Sequence, residues 1–472
     1  MASDQSSPHI VLFPFMSKGH TIPILHLARL LLLRRISLTI FTTTANSPFI
    51  RQSLADTDSS LFHVVDLSFP QDVPQVPPGV ESTDRLSSMS LFVPFANATK
   101  LMQPQFEQVL QSLPRVSCII SDGFLGWTLQ SASRFGIPRL VFFGMNNFSS
   151  TVSRVVVRDG LLANVGSDDD PFTVPAFPWL KLTRNDFEYP FRDPKPGDPH
   201  FEFVVEQIVA MSKSQGTVVN SFYELEPGYL EYWNREFEPK VWCVGPLCLA
   251  EPPTVQSLQN QKPTWMQWLD QKSAEGRSVL YVAFGSQVGI STEQLREITI
   301  GLERSEVSFL WVVKSKEVKF LEDGYDYEER VKERGLIVKE WVNQREILDH
   351  QSVNGFMSHC GWNSVLESLC ASVPILAWPM MAEQHLNARF VVEEMGMGLR
   401  VVANNGSVRG FVESEMIEKM VKELMEGEEG KKAREKVKEL EKLARMAMEK
   451  GGSSWRTLDR LLDETCMQEK VI

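Results

Sequence analysis

The sequence predicts an α/β protein made of two doubly wound domains, and three observations carry that prediction. Short apolar strands alternate with helical segments through both halves, as in parallel sheets covered on both faces. The rhythm stops once, in the polar, proline-bearing stretch Leu249 to Lys262, and then restarts. The 472 residues suffice for two or three domains at roughly 150 residues each.

The first strand is expected in the apolar run His9 to Phe15, and helical spacing follows from Thr21 to Leu33. Ser37 to Thr42 is a β-branched strand, and Val116 to Ser121 is another that feeds a helix over Phe124 to Arg134. Leu140 to Phe143 precedes a helix starting near Asn146, and Thr217 to Asn220 and Val241 to Val244 close the half. After the linker come a strand at Ser278 to Phe284, a helix at Thr292 to Arg304 and a strand at Phe309 to Val313. Leu336 to Val338, Gly355 to Met357 and Pro374 to Ala377 continue that sheet. The charged end, Glu413 to Met467, reads as helix with a solvated face and i,i+4 ion pairs. The expected division is 1–248 as a first domain, 249–262 as linker and 263–450 as a second domain. A final helix, 451–472, is expected to pack back on the first domain.

A hydrophobic share of 43% and a net charge of -12 describe a globular chain without the basic excess of a nucleic-acid binder. The N-terminus lacks a positive flank before an apolar core, and no run reaches the ~18 apolar residues of a bilayer span. Six cysteines (Cys118, Cys243, Cys248, Cys360, Cys370, Cys466) form no CxxC pair, so reduced thiols and a cytosolic location are expected. A monomer without membrane insertion or nucleic-acid partner is the expectation.

The densest chemistry lies between Trp341 and Gln384, WVNQREILDHQSVNGFMSHCGWNSVLESLCASVPILAWPMMAEQ. At its centre His359-Cys360-Gly361-Trp362-Asn363-Ser364 follows a short apolar strand and opens a helix containing Glu367. A helix start gathers N–H groups and a positive dipole end, which suits a diphosphate. In the first half, His20 follows the first strand in MSKGHT, and Asp122 follows the strand Val116 to Ser121. Both stand at the carboxyl ends of strands, where open parallel sheets bind ligands.

The Trp341–Gln384 segment resembles, without a gap, the signature box of plant UDP-dependent glycosyltransferases that act on small acceptors. The resemblance implies two Rossmann-like domains facing across a cleft, the B-type glycosyltransferase fold, with the UDP-sugar in the C-terminal half. It implies that Trp341 stacks on uracil, Val342 meets the base edge through its backbone and Gln344 reaches the ribose side. His359, Asn363, Ser364 and Ser286 would bind the diphosphate, and Glu367 would accept from the ribose diol. Trp362, Glu383 and Gln384 would face the sugar. Glu383 stands where the family usually has Asp, and Val342-Asn343 replaces the frequent Ala-Pro. Gln384 implies glucose, so UDP-glucose is the expected co-substrate, with no other cofactor and no metal.

The same resemblance makes His20 a general base and Asp122 its orienting partner, for an inverting transfer to a hydroxyl of a small phenolic acceptor such as a flavonoid. Phe15, Phe92, Phe124, Met145 and Phe148, with the Phe- and Pro-rich loop Pro171 to Pro190, are the expected acceptor lining. Transfer to a ring carbon of a phenol, and a non-catalytic nucleotide-sugar binder, are the alternatives. The acidic run Ser167-Asp168-Asp169-Asp170 reads as an exposed loop rather than a metal motif, and no GxGxxG follows the first strand.

Overall fold

The computed structural model describes residues 8–250, 262–285, 289–322 and 327–465. Most of the expected linker, 251–261, and Ser286 therefore lie outside the described residues. Nine strands come first in chain order: β1 (His9–Phe13), β2 (Ser37–Thr43), β3 (Phe62–Leu67), β4 (Cys118–Asp122), β5 (Arg139–Phe143), β6 (Phe172–Val174), β7 (Phe177–Leu182), β8 (Gly216–Val219) and β9 (Val241–Cys243). Six more follow: β10 (Val279–Ala283), β11 (Ser308–Val312), β12 (Gly335–Val338), β13 (Val353–Ser358), β14 (Ile375–Ala377) and β15 (Gly398–Arg400).

The first sheet runs β3-β2-β1-β4-β5-β8-β9 and is parallel throughout. Its alternating side chains serve two cores, as a sheet buried on both faces requires. Ile10, Leu12 and Ile120 join Leu27 and Leu31 of the helix Lys18–Leu33 in one core. Val11, Phe13 and Ile119 join Phe41, Phe95 and Phe106 in the other. The second sheet, β12-β11-β10-β13-β14-β15, is also parallel. β6 and β7 form a separate antiparallel hairpin.

Two compact units emerge: 1–147 with 194–251 and 446–472, and 148–193 with 252–445. This differs from a division taken in chain order, because 148–193 packs with the second unit. Ser149 donates to Asn387 Oδ1 at 2.8 Å, Phe148 stacks on Phe390, and Asp186 receives both Arg389 Nε and Nη2 at 3.0 Å. Even the acidic run takes part: Asp169 accepts from Asn185 and Ser407, and Asp168 pairs with Arg192. The final helix, Ser453–Thr465, places Leu458, Leu461 and Leu462 in the first unit's core. Arg34 fastens it by stacking on Trp455 and donating to Asp459 at 2.7 Å. No helix among the described residues is long and apolar enough to cross a membrane.

Candidate active site

Each sheet has one point where strand order reverses. In the first it lies between β1 and β4, and in the second between β10 and β13. Such switch points open a crevice at the carboxyl ends of the strands. The chemistry-bearing residues of each unit collect at its own.

In the first unit, register pairs Phe13 with Ser121, which puts Asp122 just past the end of β1. The chain turns after Phe15, and Ser17 caps the backbone turn that starts the helix Lys18–Leu33, with His20 in its first turn. His20 Nδ1 stands 2.8 Å from Asp122 Oδ2. The imidazole donates there, so its Nε2 carries the lone pair. Asp122 is 2% exposed and His20 26% exposed, an arrangement that buries the carboxylate and leaves the imidazole reachable. Asp122 Oδ1 also accepts from the Phe124 N–H at 2.9 Å.

Behind the pair lies a residue the sequence pattern did not single out. Arg139 is buried, donating from Nε to Ser121 and Thr128 at 2.9 Å and from Nη1 to Ser214 at 2.6 Å. Burial pulls its guanidinium down to about 10, and the negative charge of Asp122 works against that fall. A buried Arg on a β-strand carries no motif, so only the fold reveals it.

Aromatic rings enclose His20. Phe124 lies 5.0 Å from its ring and Phe15 5.6 Å, and Phe92 is 5.3 Å from Phe124. Phe203 extends this group and was not anticipated, since it comes from the distant helix Pro199–Ser212. Met145 is half-buried just beyond β5. Phe148 is fully buried and stacks on Phe390 in the second unit.

In the second unit, His359 follows β13 and is clasped by two glycines. A Cβ at Gly285 would stand 2.7 Å from His359 Nε2, and one at Gly361 would stand 2.6 Å away. Gly285 also has φ +73, so both space and backbone conformation demand glycine there. Burial first, then the charge of Lys314, push the His359 ring down to about 4, which keeps it neutral near pH 7. A hydrogen bond to the Ala283 backbone works against that fall. The helix Trp362–Cys370 begins at Gly361, which has no side chain to cap the first-turn N–H groups. Anions suit that end of a helix.

Gln344, at the start of the helix Gln344–Leu348, binds this helix through Nε2, donating to Ser364 at 2.9 Å and Glu367 at 2.6 Å. Trp341 is 64% exposed, whereas Val342 is buried. Asn363 and Glu383 are half-buried. Trp362, expected to face a sugar, is 2% exposed with its ring directed to Phe390 at 6.2 Å. The long aromatic side chain went to the core, as large rings usually do. Gln384 Oε1 accepts from the Met380 and Met381 N–H groups, both at 3.0 Å, which fixes its amide and leaves Nε2 as the donor. Asn387, another residue without a sequence signal, donates to the Cys360 carbonyl at 2.9 Å and so ties this loop to the His359 turn. Among the described residues no group of three His, Cys, Asp or Glu is placed to hold a metal ion.

Comparison with known proteins agrees with this arrangement. The family model for UDP-glucoronosyl and UDP-glucosyl transferase matches residues 252–444. UDP-glycosyltransferase 90A1 of Arabidopsis thaliana is 51% identical over 97% of this chain and 96% of its own. UDP-glucose flavonoid 3-O-glucosyltransferase 7 of Fragaria ananassa is 36% identical, covering 97% and 96%. The crystal structure of Glycyrrhiza uralensis UGT73P12, complexed with glycyrrhetinic acid 3-O-monoglucuronide, superposes with a TM-score of 0.87 at 31% identity, covering 98% and 96%. Full-length likeness at that level, on a two-sheet frame with its residues gathered at both switch points, shows that the chain belongs to the plant UDP-glycosyltransferases, enzymes that move a sugar from a UDP-sugar to small acceptors.

Proposed function

We propose that this protein transfers glucose from UDP-glucose to a hydroxyl of a small phenolic acceptor, inverting the anomeric centre, with His20 as general base. The observation that carries the reading is the 2.8 Å contact between His20 Nδ1 and a buried Asp122 carboxylate. A phenolic hydroxyl is a weak nucleophile until its proton is removed, and an imidazole suits that task near neutral pH. Asp122 fixes the tautomer with Nε2 basic and stabilises the imidazolium that forms, the logic of a hydrolase triad without its serine. The freed oxygen attacks the anomeric carbon opposite the UDP. One displacement then gives a β-glucoside from an α-linked donor.

On the donor side, Trp341 stacks on uracil beside Val342, and Glu367, braced by Gln344, takes the ribose diol. The His359 turn, Asn363, Ser364 and the helix start hold the diphosphate, where preorganised donors stabilise the leaving group. Gln384 presents its Nε2 to a sugar hydroxyl, and Glu383 lies beside it. The rings of Phe15, Phe92, Phe124 and Phe203 favour a flat aromatic acceptor. The named substrate of the Fragaria ananassa relative supports that choice.

The test is incubation with UDP-glucose and a panel of phenols, with products read by mass spectrometry, proton NMR and acid treatment. A β-linked, acid-labile glucoside is expected. An α-linked product would end the single-displacement reading, and an acid-stable one would move transfer to a ring carbon.

A further inference from the structure

Arg139 puts a full positive charge where the first sheet otherwise buries apolar groups. It opens β5 opposite Ile119 of β4 and is 2% exposed. Its acceptors are all uncharged. The single Nε–H is shared between the Ser121 and Thr128 hydroxyls, Nη1 donates to Ser214, and Nη2 lies 3.5 Å from the Asp122 carbonyl oxygen. A buried charge held only by neutral groups is costly, and an apolar side chain in its place would avoid that cost. Burial disfavours the charged guanidinium, and the negative group that opposes this is Asp122.

The same contacts close the turn that carries Asp122. Thr128 gives its hydroxyl proton to the Leu125 carbonyl at 2.6 Å, so in its 2.8 Å contact with Ser121 it accepts. One guanidinium therefore pins Ser121, just before Asp122, to Thr128, where the helix Thr128–Arg134 starts. Between them the Asp122 carbonyl accepts the Leu125 N–H at 3.0 Å, and its Oδ1 accepts the Phe124 N–H at 2.9 Å. Oδ2 is left for His20 Nδ1. Arg139 and His20 thus meet Asp122 at its two ends, backbone and carboxylate.

Charge balance gives this arrangement a chemical meaning. A carboxylate buried beside an imidazole, with no other cation near, draws a second proton onto the ring. Nε2 would then be protonated already and unable to take a proton from an acceptor. A fixed cation at the other end of Asp122 offsets the carboxylate instead. Charged side chains on the surrounding elements have partners of their own: Lys18 lies over the Phe49 ring, Glu107 pairs with Arg134 and Glu206 with Lys100.

We propose that Arg139 is a positioning residue for the base: it fixes the turn that bears Asp122 and balances the carboxylate, so that His20 waits as a neutral imidazole. This rests on the reading of His20 as general base given above. The test follows kcat/KM for a phenol that the panel shows to be glucosylated, against pH, at saturating UDP-glucose. Wild type, Arg139→Met and Arg139→Lys are compared. In Arg139→Met the acid limb moves to higher pH by about one unit or more, and the rate recovers on the alkaline side. Arg139→Lys keeps a cation and leaves the limb where the wild type has it. An even loss at every pH with the limb unmoved, or a limb moved to lower pH, overturns the proposal. Arg139→Gln repeats the measurement should the methionine variant not fold. Nitrogen NMR of histidine-labelled wild type, with His20 assigned by its loss in His20→Ala, needs no neutral variant. One unprotonated ring nitrogen at neutral pH is expected, and an imidazolium there overturns the proposal. Failure of the base reading looks different: His20→Ala would then keep both transfer and the acid limb, whatever Arg139 does.

Discussion

The two switch points solve different problems with different amounts of sequence. In the proposed reading the second unit gathers its donor residues from one stretch, Trp341 to Gln384, plus the exit of β10. The first unit draws on at least four separated segments: the turn before the helix Lys18–Leu33, Phe92, the end of β4, and Phe203. A nucleotide offers the same rigid groups in every turnover, and the cradle proposed for it is built of small residues, amides and one imidazole close together in sequence. An acceptor varies, and its wall is made of generic apolar rings. The two histidines show the contrast in miniature. His20 stays 26% exposed beside a carboxylate, while His359 is enclosed by two glycines and pushed down to about 4.

If labour is divided in this way, substitutions on the two sides separate into chemistry and donor binding. The largest effect is expected at Asp122→Asn, which keeps the shape but favours the wrong tautomer of His20. Turnover falls by about a hundredfold to ten-thousandfold, with KM for UDP-glucose little changed in steady-state assays. Glu367→Ala breaks the other side: KM for UDP-glucose rises by roughly tenfold to a hundredfold and the acceptor KM stays put, which initial rates with either substrate varied will read.

The next effect concerns stability and falls on the second unit. His359 is pushed down to about 4, and His385 to about 2 by burial and then by Arg409, Arg400 and Arg192. Both remain neutral in the fold, whereas an unfolded histidine takes up its proton near its ordinary value of 6.5. Below that pH the unfolded chain binds more protons, so stability is lost as pH falls from 6.5 toward the folded values. At a pH of about 5 each ring costs about 2 kcal/mol, seen as a falling thermal midpoint in calorimetry. His385→Gln should flatten that fall. The smallest effect is at Trp341→Ala, where loss of stacking raises KM for UDP-glucose about tenfold while the midpoint barely moves, since a 64% exposed ring adds little to the core.

How much was legible beforehand follows from the same contrast. Strand and helix order was readable because buried parallel strands are continuous apolar runs, and the switch-point residues were readable because they follow those strands directly. The burial of Trp362 could not be read because sequence spacing gives a residue's position and not its rotamer; its ring lies 6.2 Å from that of Phe390. That Phe148 groups with the second unit could not be read either, because long-range contacts of Ser149 and Asp186 decide where that segment packs. Arg139, Asn387 and Phe203 act through partners far away in sequence, which no local pattern encodes.

The division itself is tested most directly by His20→Ala, with UDP binding followed by calorimetry and transfer followed in the same preparation. The account predicts UDP affinity equal to that of the wild type and transfer reduced by about a hundredfold or more. Transfer at a near-normal rate with ordinary acceptors, or loss of UDP affinity along with transfer, would contradict it.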